Sequence, residues 1–193
     1  MTGPRRLVVG ISGSSAPHYG IALLRALRDV TGVETHLVLS SASHRTIELE
    51  TDLKVIDVES LADVVHQPAD LAASISSGSF LTMGMVVAPC SMRTLAAIAH
   101  GLGDNLLTRA ADVTLKERRP LVLVPRETPL NLIHLRNMVA VTEAGATVLP
   151  PTPGFYHRPT SIDDLLDHTT GKVLDQLGIE HELFQRWTSP EEP

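Results

Sequence analysis

The stretch Val113-Thr114-Leu115-Lys116-Glu117-Arg118-Arg119-Pro120-Leu121-Val122-Leu123-Val124-Pro125-Arg126-Glu127-Thr128-Pro129 carries a short unbroken apolar run at its centre, Leu121 to Val124. Such a run suits a strand covered on both faces, as in a parallel sheet. Charges crowd both of its ends, and Pro125 has no N–H to give to a ladder, so the strand stops there. Arg126 and Glu127 are left at the carboxyl end, the edge where ligands bind in open parallel α/β sheets. A basic group beside a carboxylate at that edge can hold an anion and move a proton. A solvated loop ion pair is the plainer reading, and this stretch alone does not choose between them.

Working outward, Leu7 to Ile11 is a second apolar run, ending in Ser12-Gly13-Ser14-Ser15 and followed by Ile21, Leu24 and Leu27 at helical spacing. Strand, polar turn and helix make the first half of a βαβ unit. Gly84 to Ala88 repeats the pattern: Pro89-Cys90 closes the strand, and Ser91 stands as N-cap for a helix from Met92 to Gly101. Both turns put small residues and free N–H groups at a helix start, which suits a phosphate, and both can face one ligand. Neither is a dinucleotide fingerprint or a Walker loop, and Ser14 occupies the place where a nucleophile elbow needs its second glycine.

The remaining segments fit the same alternation. Thr35 to Leu39 reads as a strand ending in Ser40, and Ala42 to Glu50 as a helix bringing Glu48, Glu50 and Asp52 near one another. Asp57 to Asp70 reads as short, helical and superficial, and Ala72 to Ser79 as a mobile loop or packing segment. Asp104-Asn105 opens a helix reaching Lys116; Arg109 and Lys116, seven positions apart, share one face of it, and Arg126 is expected to converge on them. Pro129 to Glu143 reads as a helix ended by Gly145, Thr147 to Leu149 as a fifth strand, and Pro150 to Pro159 as a stiff loop. Ser161, with Asp163 and Asp164, opens a last helix that carries Lys172 and ends near Gly178. Strands alternating with helices predict one α/β domain over residues 1–193 with a mostly parallel sheet; helix and tail 161–193 are expected at a subunit boundary.

A chain of 193 residues, 43% hydrophobic and 20% charged, buries one real core and reads as a soluble globular protein. Its net charge of −6 argues against nucleic acid as a main partner. The lone Cys90 excludes an internal disulfide and fits a reducing cytoplasm. No run is long enough for a signal core or a membrane span. The histidines are scattered without ligand spacing, so no metal site is expected. Aromatics make up only 3% of the chain, yet Phe155/Tyr156 and Phe184/Trp187 pair them in two places. Where those places meet they form core, a subunit contact, or a π-rich wall suited to a carbocation.

Several segments taken in order resemble the flavin prenyltransferase family of UbiX-like proteins. They are Gly10-Ile11-Ser12-Gly13-Ser14-Ser15 with Tyr19-Gly20, Glu48-Leu49-Glu50-Thr51-Asp52, Ser76-Ser77-Gly78-Ser79-Phe80 and Pro89-Cys90-Ser91. Arg109 to Pro120, Pro125-Arg126-Glu127-Thr128-Pro129 and Gly154-Phe155-Tyr156-His157-Arg158-Pro159 continue the match, which runs from about Arg5 to Trp187. The resemblance implies a Rossmann-like, flavodoxin-like three-layer αβα fold, commonly assembled as a dodecamer. It implies a metal-independent enzyme that joins a dimethylallyl group from dimethylallyl phosphate to reduced FMN, at N5 and C6. The prenylated FMN then serves a UbiD-like decarboxylase. By the same resemblance Gly13, Ser14, Ser15, Ser40, Ser91, Met92, Arg93, Thr94 and Arg126 contact FMN. Tyr156 and Lys172 hold the donor phosphate with Arg109, Lys116 and Glu127 around it, while Ser15, Glu50 and Trp187 complete the reacting pocket.

The chemistry calls for these residue types. Ionising an allylic phosphate puts positive charge on carbon and negative charge on the leaving group; Lys116, Arg126 and Lys172 answer the second, and aromatic and flavin faces the first. Ring closure at C6 releases a proton, with phosphate, Glu50 and Glu127 as candidate acceptors. Two departures from the family pattern stand out: Ala16-Pro17 where Gly-Ala is usual, and Lys172 where arginine is common. Two other readings compete. An oxidative flavin-dependent cysteine decarboxylase is disfavoured by Pro129-Leu130-Asn131-Leu132, which lacks that group's substrate motif. A non-catalytic flavin-binding subunit of an aromatic-acid decarboxylase system is the other.

Overall fold

The computed structural model describes residues 5–187. Among these residues six strands form one all-parallel sheet in the order β3-β2-β1-β4-β5-β6. They are β1 (Arg5–Ile11), β2 (Val33–Leu39), β3 (Val64–His66), β4 (Gly84–Cys90), β5 (Leu121–Pro125) and β6 (Thr147–Val148). Seven helices connect and cover them: α1 (His18–Arg28), α2 (Ser41–Glu50), α3 (Val55–Glu59), α4 (Met92–Ala99), α5 (Leu106–Lys116), α6 (Leu132–Glu143) and α7 (Ile162–Gln176). The chain winds outward from β1 to β3, then returns to lay β4 on the other side of β1. The strand order therefore reverses between β1 and β4, the place where open α/β sheets bind ligands.

Period-two alternation sorts the strand side chains into two cores. Leu7, Val9, Ile11, Val86, Ala88, Val122 and Val124 pack with α1 and α7 on one face. Val8, Met85, Val87, Leu121 and Leu123 pack with α4, α5 and α6 on the other. These central strands are buried on both faces, so their sequences read as continuous apolar runs. The result is the three-layer αβα fold that the family resemblance implies, built on the parallel sheet that the strand and helix alternation predicts.

Several boundaries differ from the sequence reading. The segment Asp57–Asp70 is not simply helical: after α3 it supplies β3, an edge strand too short to show a periodic signal. Thr147 accordingly begins a sixth strand, not a fifth. Helix α6 starts at Leu132, because Asn131 accepts from the His134 N–H and caps it there. Of the two readings of the small, serine-rich segment before β4, packing is the one observed: a one-turn 3-10 helix at Ser74–Ser76 buries Ile75 at 3% exposure. Among the described residues no helix is long and apolar enough to cross a membrane.

Candidate functional site at the carboxyl edge of the sheet

The turns after β1, β4 and β5 meet at the switch point and are bonded to one another. Ser12, fully buried, donates its hydroxyl to the Pro89 carbonyl at 2.8 Å and accepts from the Ser91 N–H at 2.7 Å. Ser14 donates to the Arg126 carbonyl at 2.9 Å, and the Arg126 N–H donates to the Cys90 carbonyl at 3.2 Å. Residues far apart in sequence thus form one rim. Ser40 and Ser91 cap α2 and α4 by accepting from the Ser43 and Thr94 N–H groups. The earlier first-turn N–H groups, those of Met92 and Arg93 among them, have no carbonyl within their own helix to bond. Gly13 lies so close against Ala42 at the start of α2 that a side chain would collide with it.

The acidic residue of the rim is Glu50, at the end of α2. It accepts from the Ser15 hydroxyl at 3.0 Å and from the Ala16 N–H at 2.7 Å. It borders an open groove of about 540 Å³ together with His18, Ile21, Arg25 and Asp52. Tyr19, on α1, sits close enough to Arg126 to feel its charge: burial pushes the phenol above its usual value and Arg126 pulls it back. Cys90 is buried, which pushes its thiol up to about 12 and makes it an unreactive packing group.

The structure also separates residues that the sequence reading drew together. Helix α5 runs antiparallel to the strands, so Lys116 lies at its foot, near Gly78 and the amino edge of the sheet. Arg126 lies at the carboxyl edge, beyond the whole of β5. At about 3.3 Å per residue the four steps from Leu121 to Pro125 span roughly 13 Å, and Lys116 and Arg126 lie beyond opposite ends of them, so Arg126 does not converge on Lys116 within one chain. Lys116 pairs with its neighbour Glu117, while Arg109, higher on α5, bonds Asp112 at 2.5 Å and the Ser76 carbonyl at 3.2 Å.

A third group gathers on the outer side of α7. Tyr156, from the loop after β6, meets Trp187 ring to ring at 5.9 Å and bonds His168 at 3.1 Å. Phe184 packs on His168 from the tail, so the two scarce aromatic pairs do meet. Lys172 is half exposed and lies 3.6 Å from Asp175, which also holds Arg186 and His181. Phe155 and Trp187 are about 70% exposed. Of the expected tail contact, residues 188–193 lie outside the described residues, as do 1–4 of the predicted domain. Sequence reasoning assigned no role to Ser12 or Tyr19; a serine ending a fully buried strand was the available signal for the first.

The rim residues fit a flavin phosphate. Two capped helix starts and a serine-rich turn present N–H and hydroxyl donors, and Arg126 is half buried with no ion-pair partner among the described residues. A guanidinium left unpaired beside such donors suits an anionic ligand.

Comparisons with known proteins agree. The Flavoprotein family profile matches residues 1–181. The flavin prenyltransferase UbiX of Escherichia coli K12 is 58% identical over 185 residues, covering 95% of this chain and 98% of that protein. The crystal structure of AnUbiX (PadA1) in complex with FMN and dimethylallyl pyrophosphate superposes with a TM-score of 0.95 at 52% identity, covering 97% of this chain and all of that one. A dodecameric FMN-dependent UbiX-like decarboxylase from Escherichia coli O157:H7 superposes with a TM-score of 0.93 at 54% identity, covering 95% and 100% of the two chains.

Proposed function

This chain belongs to the Flavoprotein family, among its UbiX-like flavin prenyltransferases, and we propose that it prenylates reduced FMN at the rim joining β1, β4 and β5. The observation that carries the reading is the convergence there of the Ser12–Ser15 turn, the Ser91–Thr94 helix start and Arg126, unpaired among the described residues, with Glu50 bonded to Ser15. Gly13, Ser14, Ser15, Ser40, Ser91, Met92, Arg93, Thr94 and Arg126 hold the flavin and its phosphate. Reduced FMN supplies the nucleophile that takes the dimethylallyl group from its phosphate, and free phosphate leaves. Glu50 fixes the Ser15 hydroxyl and the Ala16 N–H, and Glu50, Glu127 and the donor phosphate are the candidate acceptors for the proton lost on ring closure.

Arg109, Lys116, Tyr156, Lys172 and Trp187 bind the donor from neighbouring copies of the chain. Two observations support this. Lys116 lies at the opposite sheet edge from Arg126 in its own subunit, and Leu132, Ile133, Leu135 and Val139 leave an apolar face of α6 exposed. A dodecamer like that of the E. coli O157:H7 relative brings such faces together. The product passes to a UbiD-like decarboxylase, and the site of action is the cytoplasm, in keeping with the single reduced cysteine.

The test is anaerobic incubation of the purified protein, treated with chelator, with reduced FMN and dimethylallyl phosphate, followed by mass analysis of the flavin. The reading requires flavin heavier by one dimethylallyl unit, formed catalytically. Unchanged flavin with retained FMN binding would instead support the non-catalytic subunit. Release of carbon dioxide from an aromatic acid by this chain alone would support a decarboxylase.

A further inference from the structure

His168 has no part in the family resemblance, yet the structure builds a tight setting around it. The ring is 9% exposed. His157 stacks on one face, with centroids 4.9 Å apart and planes 12° from parallel, and Phe184 meets it at 4.9 Å and 61°. Gly154 closes the loop over its edge: a Cβ there would stand 3.1 Å from the imidazole carbon Cε1. Packed on these sides, the ring has one hydrogen-bond partner among the described residues, the Tyr156 hydroxyl, 3.1 Å from Nε2. Its Nδ1 is buried with no partner among the described residues.

That pattern selects a tautomer. With the hydrogen on Nε2, the ring donates to the Tyr156 oxygen and Nδ1 keeps only a bare lone pair. With the hydrogen on Nδ1, a buried N–H has no acceptor, the rarer and more costly fault. Burial, then His157 and Lys172, pushes His168 below its ordinary value, so the neutral ring is the form held near pH 7. A phenol oxygen that accepts from Nε2–H has its own hydrogen free to donate elsewhere. Lys172 stands four positions after His168 on α7, on the same helix face, with its ammonium half exposed.

We propose that His168 is a positioning residue, an imidazole that donates from Nε2 to the Tyr156 oxygen and so aims the phenol O–H, beside Lys172, at the phosphate of the dimethylallyl donor. The inference rests on the reading above of Tyr156 and Lys172 as donor-phosphate ligands. His168 itself touches neither substrate.

The test compares His168→Leu, which keeps apolar bulk without a donor, with His168→Gln, whose amide N–H₂ reaches near the Nε2 position. Each is measured in the intact oligomer for kcat and for the KM of dimethylallyl phosphate and of reduced FMN, alone and with Tyr156→Phe. His168→Leu should raise the donor KM about two- to tenfold, the range expected for one neutral hydrogen bond, with the FMN KM unchanged. His168→Gln should recover most of that loss. In the Tyr156→Phe background, His168→Leu should add nothing to the donor KM. If Tyr156→Phe leaves the donor KM unchanged, the underlying assignment of Tyr156 fails. If Tyr156→Phe raises it and His168→Leu does not, the positioning role alone fails. Equal loss of donor and flavin binding in both His168 variants, with lowered thermal stability and no rescue by Gln, would make His168 a packing residue and overturn the proposal.

Discussion

A site divided between subunits makes a prediction that a self-contained site does not. Lys116 and Arg126 lie beyond opposite ends of β5, whose four steps alone span roughly 13 Å, more than a lysine's four-carbon stem bridges, so on the proposed reading the two from one chain serve different pockets of the assembly. Removing either loses a charge-assisted contact to phosphate, about 1.5–3 kcal/mol, or roughly a tenfold to hundredfold drop at limiting substrate. Lys116→Ala and Arg126→Ala are then each nearly inactive alone. Co-expressed with distinct tags and isolated as mixed oligomers at equal ratio, they place an intact Lys116 beside an intact Arg126 at about a quarter of sites. Turnover per subunit should therefore rise to about a quarter of the unaltered enzyme's, well above either parent. Mixed oligomers no more active than the parents would refute the division of the site between subunits.

Four further outcomes are expected. Lys172→Ala should raise the donor KM about tenfold to hundredfold and leave FMN affinity unchanged, while Lys172→Arg keeps activity; parallel loss of both ligands would contradict the assignment. Ser12→Ala strands the Ser91 N–H and should cost about 1–3 kcal/mol, roughly 2–12 °C in Tm, with weakened FMN binding by titration. Ala16 holds φ +65°, where an L-residue is strained by about 1–2 kcal/mol, so Ala16→Gly should leave stability unchanged or raise it by up to about 1.5 kcal/mol after the added freedom of the unfolded chain, as read from urea midpoints. Burial and a neighbouring histidine hold His66 and His168 below their ordinary 6.5; their folded forms resist protonation, so stability should be full above that pH and fall on acidification below it, and urea midpoints that rise toward acid would contradict this.

What was legible in the sequence follows from what is local. The central strands declare themselves because each is buried on both faces, and the helix starts at Ser91, Asn105 and Ser161 because each cap is read from a few adjacent residues. Edge strand β3 spans only Val64–His66 and makes one pairing, with β2, so no period can build up in its sequence. The start of α6 was misplaced because Leu130 and Leu132 extend the apolar pattern past the cap, and that pattern marks an exposed face, not the core. At the site, the residues of the β1, β4 and β5 turns were legible because parallel topology sends all three to one edge. The expected convergence of Arg126 on Lys116 was not correct, since the chain's return through β5 carries them to opposite edges.

The departure at Ala16-Pro17 has a physical reading that sequence alone could not supply. The family resemblance implies glycine at this position, and the backbone here takes a positive φ, the conformation that favours glycine. Alanine holds it because the Ala16 N–H is bonded to Glu50 at 2.7 Å, and because Pro17, at φ −56°, already has the angle its ring imposes as it leads into α1. The same carboxylate also holds the Ser15 hydroxyl, so strain and site geometry depend on one group. On the proposed reading, a Glu50 that took up the ring-closure proton would weaken its acceptance from both donors and loosen the turn that holds the flavin. On that reading both donors meet the same Glu50 oxygen, Oε2, so a proton carried on Oε1 weakens both bonds together, whereas one delivered to Glu127 or to phosphate leaves them unchanged.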